Sequence, residues 1–154
     1  MVVELFDIGD VERMREARAI RMRVFVDEQR VPPEEEIDEH DRTDTAACHA
    51  LARDAAGRAL GTARFYVLDA RTARIGRMAV SAHARGRGVG MLLLQRLGAE
   101  AFRRGFAAIE LHAQVHAREF YVRAGYVDDG ARNWDAGIEH QPMRLDLTRM
   151  EAEK

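Results

Sequence analysis

The six residues Arg85-Gly86-Arg87-Gly88-Val89-Gly90 restrict the fold more than any other segment. Three glycines in six positions would weaken the interior of a helix or strand, so the run reads as a loop. Ahead of it, Ala73 to Ser81 has the apolar content of a strand. Behind it, Gly90 to Arg104 carries Leu93, Leu94, Leu97 and Ala101 at helical spacing. A loop that leads from a strand into a helix gathers free N–H groups and partial positive charge at one point. Glycines let a phosphate approach the backbone closely, and Arg85 and Arg87 add forked donors. The natural guest is a diphosphate. Two familiar phosphate loops are excluded. No Gly-Lys-Ser/Thr tripeptide is present, and the position where a dinucleotide fingerprint needs its third glycine is Met91.

The remaining elements follow from periodicity and turn chemistry. Val2 to Phe6 reads as a strand. Asp10 is placed to cap a helix over Val11–Gln29, in which Val11, Met14, Ala17, Ile20 and Val24 form one apolar stripe. Pro32 and Pro33 stop it. Glu34 to Asp44 is expected to be loop with one helical turn at most. Cys48–Arg53 and Leu60–Leu68 read as strands joined by a hairpin turn at Asp54–Gly57. Phe106–Ala113 is a strand and His116–Ala124 a short helix, with Gly105 and Gly125 as helix-ending glycines. Tyr126-Val127 opens a strand, and Gln141–Leu147 is the last one. Three antiparallel strands followed by a β-α-β crossover give a mixed sheet with helices on its faces. No repeat or linker interrupts the chain, so residues 1–154 are expected to form a single domain.

Composition narrows the function classes. The 154 residues are 47% hydrophobic, which excludes a disordered chain. A net charge of −2 argues against general nucleic-acid binding. No apolar run approaches the ~20 residues of a membrane span. The opening MVVELFDIGD lacks a basic n-region, so no signal peptide is expected and the cytoplasm is the default location. Cys48 is the sole cysteine and reads as a structural thiol in a strand. No HxH or HExxH spacing occurs, and no metal is expected. The basic residues are 23 Arg and the single Lys154. Nine acids face two Arg between Asp27 and Asp44, whereas eight Arg face Glu100 alone between Arg71 and Arg104. That asymmetry suggests one half suited to an anion and one suited to a cation.

Arg85-x-x-Gly88-x-Gly90, after the strand Ile75-Gly76-Arg77-Met78-Ala79-Val80, resembles the acetyl-CoA motif of the GNAT superfamily of N-acetyltransferases. Phe120-Tyr121-Val122-Arg123-Ala124-Gly125-Tyr126 resembles its FYxxxGF segment. Arg23–Gln29, Glu36-x-Asp38, Leu111–Gln114 and Gly137–His140 look like the ElaA/YjcF-like branch. The resemblance covers nearly the whole chain. It implies the GNAT fold: α/β, with a mixed, mostly antiparallel sheet of about six to seven strands flanked by helices around a central β-α-β unit. It also implies an enzyme that uses acetyl-CoA as co-substrate. Backbone groups of Met78, Ala79 and Val80 would pair with the pantetheine arm. Amides of Arg85, Gly86, Arg87, Gly88, Val89 and Gly90 would cradle the pyrophosphate, with Gln114 also near the cofactor. The strand at 108–114 would splay from that at 74–80, and Tyr121 would protonate the leaving thiolate. Trp134 stands where this branch more often has Phe.

Amine acetylation needs a neutral amine, a stabilised oxyanion and a protonated leaving group. Tyr121 can supply the last, beside the plainer reading of an aromatic cluster with Phe120 and Tyr126. His112 shares a strand face with Glu110 and Gln114 and is the candidate base. His140 precedes the last strand and joins Glu28, Gln29 and Asp38 as candidate acceptor contacts. Glu36 and Asp41 belong to the same acidic stretch, whose plainer reading is a solvated loop. The acceptor is expected to be a small polar primary amine, with a peptide N-terminus or lysine as the alternative. A non-catalytic acyl-CoA-binding or sensing module is the rival function. Neither nucleic acid nor membrane is an expected partner, and an exposed sheet edge would allow a homodimer.

Overall fold

Asp10 starts the first helix as the sequence requires: its carboxylate accepts the Arg13 N–H at 3.1 Å. The computed structural model describes residues 1–148. The helix, α1 (Val11–Arg21), buries Met14, Ala17 and Ile20, while Val11 in its first turn stays exposed. The expected straight helix to Gln29 changes character midway. Met22–Glu28 winds as a π-helix, with Gln29 N–H reaching Val24 O at 3.1 Å. The acidic stretch holds two one-turn helices rather than one, α2 (Pro33–Glu36) and α3 (Glu39–Arg42). Asp38 and Asp41 make a reciprocal capping box on α3, which is why a segment so rich in acids is ordered.

The strands are β1 (Val2–Phe6), β2 (Cys48–Arg53), β3 (Ala59–Val67), β4 (Thr72–Val80), β5 (Ala108–Gln114), β6 (Val127–Asp128), β7 (Asn133–Asp135) and β8 (Ile138–Asp146). They form one mixed sheet in the order β1-β2-β3-β4-β5-β8-β6, with β7 paired to β8. Two helices complete the α/β fold: α4 (Val89–Arg103) between β4 and β5, and α5 (Arg118–Arg123) between β5 and β6. The eight strands among the described residues exceed the expected number because β7 is too short to show a period. Its hairpin to β8 turns through Ala136 and Gly137, both at positive φ.

The chain forms two compact units that alternate along the sequence. The first comprises Met1–Tyr66 and Arg77–Leu97; the second comprises Val67–Gly76 and the residues from Gly98 onward. In the first, β1, β2 and β3 pair antiparallel, and Ala17, Ile20, Val24, Leu51 and Ala79 form a core cluster. In the second, β5 pairs parallel with β4 over Thr72–Ala108, Ala73–Ile109 and Arg74–Glu110. It then pairs antiparallel with β8 as far as Gln114–His140. Alternation along β5 buries Ile109, Leu111 and Ala113 and turns Glu110, His112 and Gln114 to the other face.

Gly61 on β3 is where the first unit fixes the start of α4. A Cβ there would lie 2.9 Å from Val89 Cγ1 and 3.1 Å from the carbonyl oxygen of Ala79. Because one obstacle is backbone, a side chain cannot simply turn aside. Gly61→Ala should lower the unfolding free energy by about 1–3 kcal/mol, the usual cost of overpacking, read from urea denaturation.

Candidate active site

The loop ahead of α4 is built from two left-handed glycines. Gly86 has φ 77° and Gly88 φ 82°. A Cβ at either would meet no atom within 4 Å, so these positions need glycine for backbone conformation and not for space. Alternating left-handed residues turn successive N–H groups inward to make an anion-binding concavity. Residues 85–88 are exposed, and α4 begins directly after them, its first backbone bond running from Leu92 N–H to Gly88 O at 3.1 Å. The N–H groups ahead of Leu92 belong to the first turn, where no intrahelical acceptor exists. Among the loop arginines, Arg85 is committed within the protein. Its Nη2 donates to both carboxylate oxygens of Glu28, at 2.8 and 3.0 Å, and its Nε to Val80 O at 3.1 Å. The π-helix thus delivers Glu28 to this loop.

The acidic stretch is matched by arginines of the same unit. Arg21, almost wholly buried, donates from Nε to Glu36 Oε1 at 2.6 Å and from Nη1 to Asp41 Oδ1 at 2.7 Å. Arg64 donates from Nη1 to Asp41 Oδ1 at 2.9 Å and also pairs with Asp38. Arg77 reaches Glu36 O and Glu35 O at 3.2 Å each, and Asp38 Oδ2 at 3.5 Å. Three guanidinium groups therefore face three carboxylates. Burial pushes the Asp41 carboxyl up, but the hydrogen bond and charge of Arg21 and the charge of Arg64 override it and hold it well below the carboxylate range. Asp38 is also lowered, with burial opposed by Arg64. Part of the charge asymmetry along the sequence is thus internal pairing, through Glu28, Glu36, Asp38 and Asp41. One signal of it was readable: Arg21 lies four residues after Ala17, on the apolar stripe of α1, where a lone charge needs a buried partner.

The second unit carries the remaining candidates. On β5, His112 Nε2 lies 3.4 Å from Arg74 Nη2 and 3.6 Å from Glu110 Oε1. Arg74 itself pairs with Glu110. Partial burial and then the Arg74 charge lower the His112 pKa from its ordinary value, which favours the neutral ring. Gln114 Oε1 accepts from His116 Nε2 at 2.7 Å. His140, the cross-strand partner of Gln114, donates from Nδ1 to Ile138 O at 2.8 Å. In the neutral ring, that bond leaves His140 Nε2 as an acceptor. Tyr121, on α5, sits in the expected aromatic cluster, with ring centroids 5.0 Å from Phe120 and 6.1 Å from Tyr126, both edge-on. Burial pushes its phenol up to about 12. Trp134 on β7 is exposed. Cys48 is buried and in no disulfide.

Residues 14–147 match the model of the acetyltransferase (GNAT) domain. The chain belongs to the GNAT acetyltransferase family. It is 33% identical over 136 residues to the uncharacterized N-acetyltransferase YjcF of Bacillus subtilis, covering 88% of this chain and 94% of that one. Among solved structures, an acyl-CoA N-acyltransferase from Pseudomonas aeruginosa superposes with a TM-score of 0.81 at 26% identity, covering 94% of this chain and 99% of that chain. Escherichia coli ElaA gives 0.81 at 25% identity with the same coverage. The branch resemblance read from the motifs therefore holds. GNAT enzymes are acetyl-CoA-dependent N-acetyltransferases, and this chain carries that activity class. Among the described residues no helix is long and apolar enough to cross a membrane, and no group of three or more His, Cys, Asp or Glu is placed to hold a metal ion.

Removing one partner from a buried ion cluster leaves the other charge unpaired. Asp41→Asn should therefore cost about 3–5 kcal/mol in urea unfolding at neutral pH. The Asp41 pKa is depressed in the folded protein, so its stabilisation is present above the unfolded carboxyl value of about 3.9 and is lost as pH falls below it. The gap between wild type and Asp41→Asn should narrow as pH drops from about 5 toward 2.

Proposed function

We propose that this acetyltransferase moves acetyl from acetyl-CoA to a small polar primary amine by direct attack in a ternary complex. The observation that carries the reading is the exposed loop at residues 85–88, with two left-handed glycines opening a helix of 15 residues. Its amides hold the diphosphate of coenzyme A, and backbone groups of Met78, Ala79 and Val80 pair with the pantetheine arm. Gln114 also contacts the cofactor. These assignments follow the family motif residue by residue.

His112 removes the proton that the attacking amine sheds. A ring whose pKa is lowered is neutral, and able to act as a base, over more of the physiological range. Tyr121 donates to the sulfur as the carbon–sulfur bond breaks and regains its proton from the one the amine has lost. A phenol at about 12 stays protonated across the working pH range, so the donor is always loaded. Backbone amides meet the charge that develops on the acetyl oxygen. Glu28, Gln29, Asp38 and His140 contact the acceptor. Glu28 and Asp38 do so while shared with Arg85 and Arg64, which tempers their pull on an ammonium and keeps its pKa from rising.

The first test is CoA release from acetyl-CoA across a panel of small amines and peptides against a no-acceptor blank. Tyr121→Phe should lower kcat by about 10²–10⁴-fold while leaving the Kd for coenzyme A unchanged. Gly88→Val should abolish coenzyme A binding in calorimetry, because a β-branched residue cannot hold φ 82°. Retained binding in that variant would sink the loop assignment. Tight binding without turnover on any acceptor would favour the sensing module instead.

The pH profile gives a separate check. The acid limb of kcat/KM should rise through a value below the ordinary histidine pKa of about 6.5. His112→Gln should remove that limb, and Tyr121 should set no alkaline limb below about pH 10.

A further inference from the structure

Three non-glycine residues with positive φ occur among the described residues: Arg30, Arg77 and Ala136. Arg30 ends the π-helix and Ala136 turns a hairpin. Arg77 is different, because it lies inside β4 with φ 51°. A residue with a Cβ is disfavoured there, and a chain that needed only a permissive backbone would place glycine or asparagine at that point.

Instead the position holds the longest forked donor available. Its Nε donates to Glu36 O and its Nη2 to Glu35 O, both at 3.2 Å, with Asp38 Oδ2 3.5 Å away. Glu35 and Glu36 end α2, where carbonyls lack intrahelical partners. A planar guanidinium bridges two such carbonyls from separate nitrogens in a fixed geometry, which the single, freely rotating ammonium of a lysine does not impose. The anchor is itself fixed. Glu36 is held by Arg21, whose Nη2 also takes Glu36 O at 2.8 Å, and Asp38 is held by Arg64. On the other side of Arg77, Ala79 is locked in the core cluster with Ile20 and Leu51. The left-handed residue therefore stands between two rigid supports.

We propose that Arg77 is a positioning residue for the acyl donor: its side chain, latched to the end of α2 and to Asp38, holds β4 in the left-handed turn that sets the backbone direction of Met78–Val80. The inference rests on the proposed role of that strand segment in pairing with the pantetheine arm. Arg77 itself touches no reacting atom. A residue with a Cβ but no latch would relax toward extended backbone and misdirect the segment. Glycine would lose the latch but still enter the left-handed conformation without steric cost.

The test compares Arg77→Ala with Arg77→Gly in full-length protein. Arg77→Ala should raise KM for acetyl-CoA about tenfold, the scale of a left-handed penalty near 1.4 kcal/mol. Arg77→Gly should show a clearly smaller rise, although both variants lose the same hydrogen bonds. KM for the acceptor and the thermal midpoint should shift alike in the two. A role in charge balance or packing alone makes alanine and glycine equivalent in acetyl-CoA KM, and that result would overturn the proposal, as would wild-type KM in both. If the wild type turned over no acetyl-CoA, the proposed reaction would fall by itself. Amide exchange over residues 75–81 in the ligand-free variants would then decide the latch: faster exchange in Arg77→Ala than in Arg77→Gly supports it, and exchange equal to wild type in both overturns it.

Discussion

Asp41 accepts from two arginines at once, Arg21 at 2.7 Å and Arg64 at 2.9 Å, in the interior of the first unit. Removing two guanidinium groups and a carboxylate from water costs several kcal/mol per ion, and only multiple, well-directed hydrogen bonds offset it. Here they are present: Arg21 alone makes four, to Glu36 and Asp41 and to the Glu36 backbone. A cluster of this kind is weak evidence for high stability, since an apolar equivalent would pack as well. What it supplies is a single geometry. Each fork fits one arrangement of its partners, so α1, β3, β4 and the 33–42 segment are tied at fixed relative positions. An apolar contact would tolerate sliding by a fraction of an ångström, and a bidentate pair does not.

The glycine loop depends on that rigidity. Its amides are useful only if the end of β4 and the start of α4 are both held. Gly61 lets Val89 and Leu93 settle against β3, and Ser81 N–H bonds to Leu60 O at 2.9 Å. The backbone on either side of the loop is thereby fixed, while residues 85–88 keep their exposed, left-handed turns. In the proposed role of this loop, the site is organised before its anion arrives, and less ordering is left to pay for on binding.

Where period and turn chemistry dominate, the sequence was legible. Cys48–Arg53 and the N-cap at Asp10 are as read, and β3, β4 and α4 begin one residue earlier than expected. The alternation that set Glu110, His112 and Gln114 on one face of β5 is present in the burial pattern. What escaped was long-range. No local rule distinguishes an acid that is solvated from one that meets an arginine 20 or more residues away, and Asp41 meets Arg21 and Arg64 in just that way. The π-helix escaped because its register change leaves the apolar spacing of Ile20 and Val24 intact. The left-handed Arg77 escaped because nothing about an arginine in an apolar strand forecasts positive φ. The aromatic cluster of Tyr121 with Phe120 and Tyr126, by contrast, was legible as the plainer reading of that segment.

The choice of cation has a chemical corollary. Every basic side chain in the buried cluster and the loop is arginine, and the chain contains a single lysine, Lys154. A guanidinium stays protonated at any working pH and is no nucleophile, whereas a lysine amine is a standing target for acylation. A protein that handles an activated thioester in this way has built its charged framework from groups its own donor cannot modify. The ion pairs that define its geometry are therefore immune to slow self-acetylation, however long the protein remains in contact with acetyl-CoA.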